Sequence, residues 1–195
     1  MSGTHEDGAR IQARSALRGD PEAIRQVWET HRRWIAAVLL AHKPREVDLE
    51  DLLQDVAMIV VSRIREVRDP DALRGWLRTV AINTARAAGR TQTRRRSRRA
   101  PRSVTLTDAP APTNLLDLGQ REHAQRTLAL AADLPDGYRE PLLLRCVQGM
   151  SYRAIGRVMD LPETTVETRI ARGRRMLREL IAQRERAASS SEPES

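Results

Sequence analysis

Residues 150–177 read MSYRAIGRVMDLPETTVETRIARGRRML, two short helices joined by a tight turn. Ser151 is a good N-cap for the first helix, and Ile155, Val158 and Met159 form its inner face. Leu161 plugs the turn. Pro162 fits the start of the second helix, where Glu163 lies beside the positive end of the helix dipole. Val166, Ile170 and Leu177 anchor that helix on its apolar side, which leaves Thr164, Glu167, Thr168, Ala171 and Arg172 on the free face. Arg169, Arg174, Arg175 and Arg178 are spaced to flank a groove. A helix-turn-helix has this layout, with free-face residues toward base edges and flanking arginines toward phosphates. An ordinary amphipathic hairpin with a solvated charged face has it too. Glu167 repels phosphate, so it is either a plain surface charge or an acceptor for a cytosine amino group.

The hairpin occupies a fraction of the 195 residues. The chain has no Phe and only 3% aromatic residues, so its cores must be aliphatic and small, which suits helices. The net charge is +8, and Lys43 is the only lysine among 34 basic residues. Excess positive charge implies attraction to a polyanion. No apolar run approaches the ~18 residues of a membrane span, and the N-terminal stretch MSGTHEDGARIQAR lacks a signal-peptide core. The single Cys146 fits a reducing cytoplasm. His5, His31, His42 and His123 lack metal-ligand spacing. Without a nucleophile–base pair, a phosphate-binding Gly loop or a metal cluster, an enzyme is not expected, nor a cofactor.

Toward the N-terminus, Asp20 and Pro21 signal a helix start, followed by Ile24, Val27, Trp28, His31, Ile35, Val38 and Leu39 at helical spacing. A second helix turns Leu49, Leu52, Leu53, Val56, Val60 and Ile64 inward and carries an acidic row, Asp51, Gln54 and Asp55 with Met58. Asp69 and Pro70 lead into a third helix with Leu73, Trp76, Leu77 and Val80 inward, where Trp76 reads as core. From Arg90 to Arg102 arginines crowd without an acid, and a Thr/Pro-rich stretch follows that reads as a linker. Helical patterning resumes near Gln120. The expected fold is all-α: two small helical domains joined by a flexible linker, the second carrying the helix-turn-helix.

Three motifs in order now resemble the extracytoplasmic-function (ECF) sigma factors of RNA polymerase. EDLLQDV resembles the family's polymerase-binding helix. GWLRTVAINTARAAGR resembles its Trp-Leu…Ala-x-Asn segment through Trp76, Leu77, Val80, Ala81, Asn83 and Arg90. LPDGYREPLLLRCVQGMSYRAIGRVMDLPETTVETRIARGRRML resembles its C-terminal domain throughout. Together they span roughly Gly19 to Leu180.

The resemblance implies region 2 over residues 15–98, a linker over 99–120 and region 4 over 121–186, while the polar composition of residues 187–195 reads as a disordered tail. It implies polymerase binding through Asp51, Gln54, Asp55 and Met58. Melted −10 DNA would meet Arg68, Asp69, Asp71, Arg74, Asn83, Arg86 and Arg90, and the −35 duplex Thr164, Glu167, Thr168, Arg169, Ala171, Arg172 and Arg175. Implied partners are core RNA polymerase, promoter DNA and an anti-sigma factor or other separate regulator, without membrane insertion, in the cytoplasm. The competing reading is a stand-alone repressor or activator using the same hairpin. Departures from the family pattern are Ala57 and Val61 in place of aromatics, Ala87 in place of a polar residue, Gly156 in place of Ala, Thr164 in place of Gly, and Glu167 in place of a base. The Arg94–Arg99 cluster reads as a phosphate grip or a solvated linker.

Overall fold

Helix starts set the frame of the molecule, a computed structural model that describes residues 3–98 and 130–189. The first helix, α1 (Gly3–Leu17), was not expected from the sequence. Its buried side chains are small ones, Ala13 and Ala16, which leave little apolar periodicity to read. It packs on α2 (Pro21–His42) and carries the N-terminal lobe well before residue 15. Asp20 caps α2 as anticipated, accepting from the backbone N–H groups of Glu22 and Ala23, and Asp48 does the same at Glu50 and Asp51 for α3 (Leu49–Arg63). Each such cap contributes about 1 kcal/mol. In the bend between α2 and α3, Lys43 Nζ donates to the carbonyls of Pro44, Arg45 and Val47.

Two short 3-10 turns, Ile64–Glu66 and Pro70–Ala72, connect α3 to α4 (Leu73–Arg98). Leu73, Leu77, Ala81 and Ala85 of α4 close the core against Ile35, Val38 and Leu39 of α2 and Leu52, Val56 and Val60 of α3. Trp34 is buried, whereas Trp28 and Trp76 pack against this core half-buried.

The second lobe resumes at Leu130 with Leu130, Ala131 and Leu134 buried, then α5 (Asp136–Cys146), α6 (Tyr152–Met159) and α7 (Glu163–Ser189). Ser151 caps α6 by accepting from Ala154 N–H, and Ile155, Val158 and Met159 are buried. The turn into α7 runs through Asp160, left-handed at φ 55°, and both Asp160 and Leu161 N–H bond to the Gly156 carbonyl. Gly156 lets that turn close: a Cβ there would stand 2.6 Å from the Leu161 carbonyl oxygen. Val166 and Ile170 of α7 are buried as expected, and Leu177 half-buried. α7 runs on through Ser189, into the segment expected to be a free tail, where alanines favour continued helix.

Every regular element among the described residues is helical. The expected linker over 99–120, the helical start near Gln120 and the side chains of the Arg94–Arg99 cluster lie outside the described residues. The two lobes meet directly, α2 and α4 of the first against α5 and α6 of the second. Arg139 donates to the Ala41 carbonyl at 2.6 Å, and Arg45 pairs with Asp133 across the same boundary.

Candidate nucleic-acid and protein interfaces

On α3 the inward stripe of Leu52, Leu53, Val56 and Val60 forces Asp51, Gln54, Asp55 and Met58 to solvent. All four are exposed on one face, Met58 at 70%. Val61, a turn further along, is 65% exposed. It was noted in the sequence only as a departure, yet it extends the same patch. Met58 and Val61 together with the carboxylates give this part of α3 a mixed apolar and acidic surface.

A groove of about 740 Å³ runs between this face and α4. Asp51, Asp55 and Met58 form one lip, and Asn83, Ala87 and Arg90 the other. Two sets of residues expected to serve different partners thus share one groove. Thr84, also on the wall, is buried, and its hydroxyl has no hydrogen-bond partner among the described residues.

The expected arginine track on α4 is divided. Arg86 faces a second cleft of about 360 Å³ between the lobes, shared with Asn83, Arg78 and, from α7, Arg169. Arg74 instead lines a hollow with Arg10, His31, Asp71, Arg157 and Asp160. His31 is held at a pKa of about 4, below the ordinary histidine value of 6.5, by burial and then by the Arg74 charge. Its ring stacks at a tilt on Trp34, 5.8 Å between centroids.

In the loop before α4, Arg68, Asp69 and Asp71 are exposed. Asp69 accepts from the Asp71 N–H at 2.9 Å and caps the 3-10 turn, while Asp71 is bound by Arg10 of α1 at 2.5 Å. The loop is therefore braced by a helix that motif reading left out.

On α7, Thr164, Glu167, Thr168, Ala171, Arg172 and Arg175 are exposed, and Arg169 is half-buried toward the lobe boundary. Tyr138 of α5 joins Thr164, Thr168, Arg169 and Arg172 in lining a shallow depression. Arg175 lies 3.7 Å from Glu179, an exposed pair that leaves it available to another anion at little cost.

At the lobe boundary Glu140 of α5 is 1% exposed. Arg78 of α4 grips it through Nε and Nη2 of its guanidinium, 2.6 and 2.8 Å, and His42 Nε2 of α2 lies 2.9 Å away. An ionised carboxylate only accepts, so Nε2 carries the proton. Burial alone would raise the Glu140 pKa; the hydrogen bonds from His42 and Arg78 and the Arg78 charge outweigh it and hold the carboxyl below the ordinary carboxylate range. Partners 98 and 62 residues away leave no sequence signal for this cluster.

The described residues contain no group of three His, Cys, Asp or Glu that could hold a metal ion, and no helix long and apolar enough to cross a membrane. Residues 27–95 match Sigma-70 region 2, and residues 124–177 match Sigma-70, region 4. The chain is 26% identical over 170 residues to the ECF RNA polymerase sigma-E factor of Haemophilus influenzae, covering 84% of this chain and 89% of that protein. The ECF RNA polymerase sigma-E factor of Escherichia coli K12 is 26% identical over 166 residues, 80% of this chain and 85% of that protein. Among solved structures, CnrH in complex with the cytosolic domain of CnrY is similar with a TM-score of 0.60 at 26% identity, covering 89% of this chain and 97% of that one.

Proposed function

This chain belongs to the extracytoplasmic-function class of RNA polymerase sigma factors, and on that premise we propose how its surfaces divide the work of promoter-specific transcription initiation. Membership sets aside the stand-alone repressor or activator. The N-terminal lobe serves as region 2 over about residues 15–98 with α1 added to it, and the second lobe as region 4. The protein acts as a specificity subunit without catalysis of its own, in the cytoplasm where its polymerase works.

The observation that carries the reading is the α3 face: Met58 and Val61 exposed among Asp51, Gln54 and Asp55. Against a basic, partly apolar helix of core polymerase this face becomes a docking site, with apolar contact supplying affinity and the carboxylates steering approach. Asn83 and Arg90 across the groove, with Arg86, hold the opened −10 strand close to that docking helix. Adjacency helps here, because the strand is unpaired only while polymerase holds the DNA open. The free face of α7 reads the −35 duplex: Thr164, Glu167, Thr168, Ala171 and Arg172 toward base edges, Arg169 and Arg175 toward phosphate. Control falls to a separate protein that binds this chain, as the similar CnrH is found in complex with the cytosolic domain of CnrY.

The test is direct. Asp51→Arg with Asp55→Arg should abolish capture by core polymerase while helix content and −35 duplex binding stay at the unmodified level. Unchanged capture would move the docking face elsewhere.

A further inference from the structure

The closed arrangement of the lobes cannot be the one that works on a promoter. By their numbering the −35 and −10 elements lie about 25 base pairs apart, roughly 80 Å of duplex at about 3.4 Å per pair. A compact chain of 195 residues has a radius of gyration of about 16 Å. Simultaneous engagement requires the lobes to separate, and separation breaks the contacts of Glu140 with Arg78 and His42.

What Glu140 holds decides what replaces it. Arg78 lines the same cleft as Asn83 and Arg86, the residues assigned to the −10 strand. Its planar fork takes the two carboxylate oxygens of Glu140 at 2.6 and 2.8 Å. A phosphodiester presents the same two-oxygen geometry and the same charge. Burying the Glu140 carboxylate costs much of what its attraction to Arg78 returns, so this contact adds little net stability to the closed state and an equivalent anion delivered by another molecule can displace it. We propose that Glu140 is an internal stand-in for a promoter phosphate: it occupies Arg78 in the closed chain, single-stranded DNA competes for that guanidinium, and strand capture and lobe separation are one coupled event. Arg78 thereby becomes a further strand-binding residue, occupied by Glu140 until the lobes part. The inference rests on the assignment of the Asn83–Arg86 face to the −10 strand.

The experiment uses the full chain and a short single-stranded DNA of mixed sequence. Affinity is read by anisotropy, and lobe separation by energy transfer between dyes on the exposed Cys146 and on an introduced Arg33→Cys. Glu140→Gln and Glu140→Ala should each bind the strand about tenfold more tightly and show reduced transfer. Glu29→Gln, the same charge change at an exposed site on α2, should do neither. Adding the strand should lower transfer in the unmodified chain. Arg78→Ala should open the lobes without tightening strand binding, because the contact itself is gone. Circular dichroism and −35 duplex binding verify that each variant is folded. Wild-type affinity and transfer in both Glu140 variants would overturn the proposal, as would an Arg78→Ala chain that gains affinity as they do. If Asn83→Ala and Arg86→Ala leave strand binding untouched, the assignment of the strand face fails instead.

Discussion

Gly156→Ala makes the tightest test of how the DNA-reading hairpin is built. Gly156 is a buried residue of α6, and its added Cβ would sit 2.6 Å from the Leu161 carbonyl oxygen and 3.9 Å from the Glu163 nitrogen. The nearer obstacle is backbone, in a turn fixed by the hydrogen bonds of Asp160 and Leu161 to the Gly156 carbonyl, so it cannot rotate aside. Two effects oppose each other. Replacing a helical Gly by Ala gains about 1 kcal/mol of helix propensity. Forcing an extra carbon into a filled site costs about 1–3 kcal/mol, and contact with immobile backbone places this case at the upper end. The balance is a loss of roughly 2 kcal/mol from the second lobe, with the angle between α6 and α7 disturbed and −35 affinity reduced. Urea unfolding followed by circular dichroism measures the first effect and duplex titration the second. Gly75→Ala is the internal control: Gly75 is helical and exposed, and nothing lies within 4 Å of its Cβ. That variant should gain up to about 1 kcal/mol. A Gly156→Ala chain as stable as the parent, or more stable, would refute the argument that the turn requires the missing side chain.

His31 favours its neutral form in the folded chain, with a pKa of about 4 against 6.5. As pH falls, the unfolded chain protonates first, so up to about 3 kcal/mol of N-terminal lobe stability should be lost between those values. Comparing urea midpoints of the parent and His31→Gln across this range checks it, and identical pH slopes would contradict it. Met58→Ala should weaken core polymerase binding about tenfold, near 1.4 kcal/mol, measured by competition for core; an unchanged affinity would remove Met58 from the interface. Arg174→Ala should reduce the log–log salt slope of −35 duplex binding by about 0.9, one phosphate contact, with little effect on sequence preference. A slope unchanged in salt titrations would take that phosphate contact away from Arg174.

The parts of this molecule that sequence reading reached were local ones. Asp20, Ser151 and the stripes of α2, α3 and α6 act within a turn or two of themselves, and the structure has them in the expected roles. α1 escaped because it buries alanines, whose side chains hardly change hydrophobic periodicity. Arg74 and Arg86 look alike in sequence, yet twelve residues of helix turn them into different clefts. Asp69 and Asp71 were read as DNA contacts from their motif, and nothing in the sequence signalled that one also caps a turn and the other also pairs with Arg10. The Glu140 cluster is legible only once the two lobes are brought together, since its members come from three helices. Gly156 carried a signal, a Gly departing from the family pattern to which the hairpin was compared, but its cause is the carbonyl of a residue in the following turn.

Run-off transcription over genomic fragments, with core RNA polymerase in the presence and absence of this chain, tests the central claim most directly. Two helical lobes that recognise a promoter and an α3 face that binds polymerase predict that the chain co-migrates with core and confers discrete start sites that core alone does not use, and that Asp51→Arg with Asp55→Arg removes both effects together. Core enzyme that neither retains the chain nor changes its start-site selection would contradict the account.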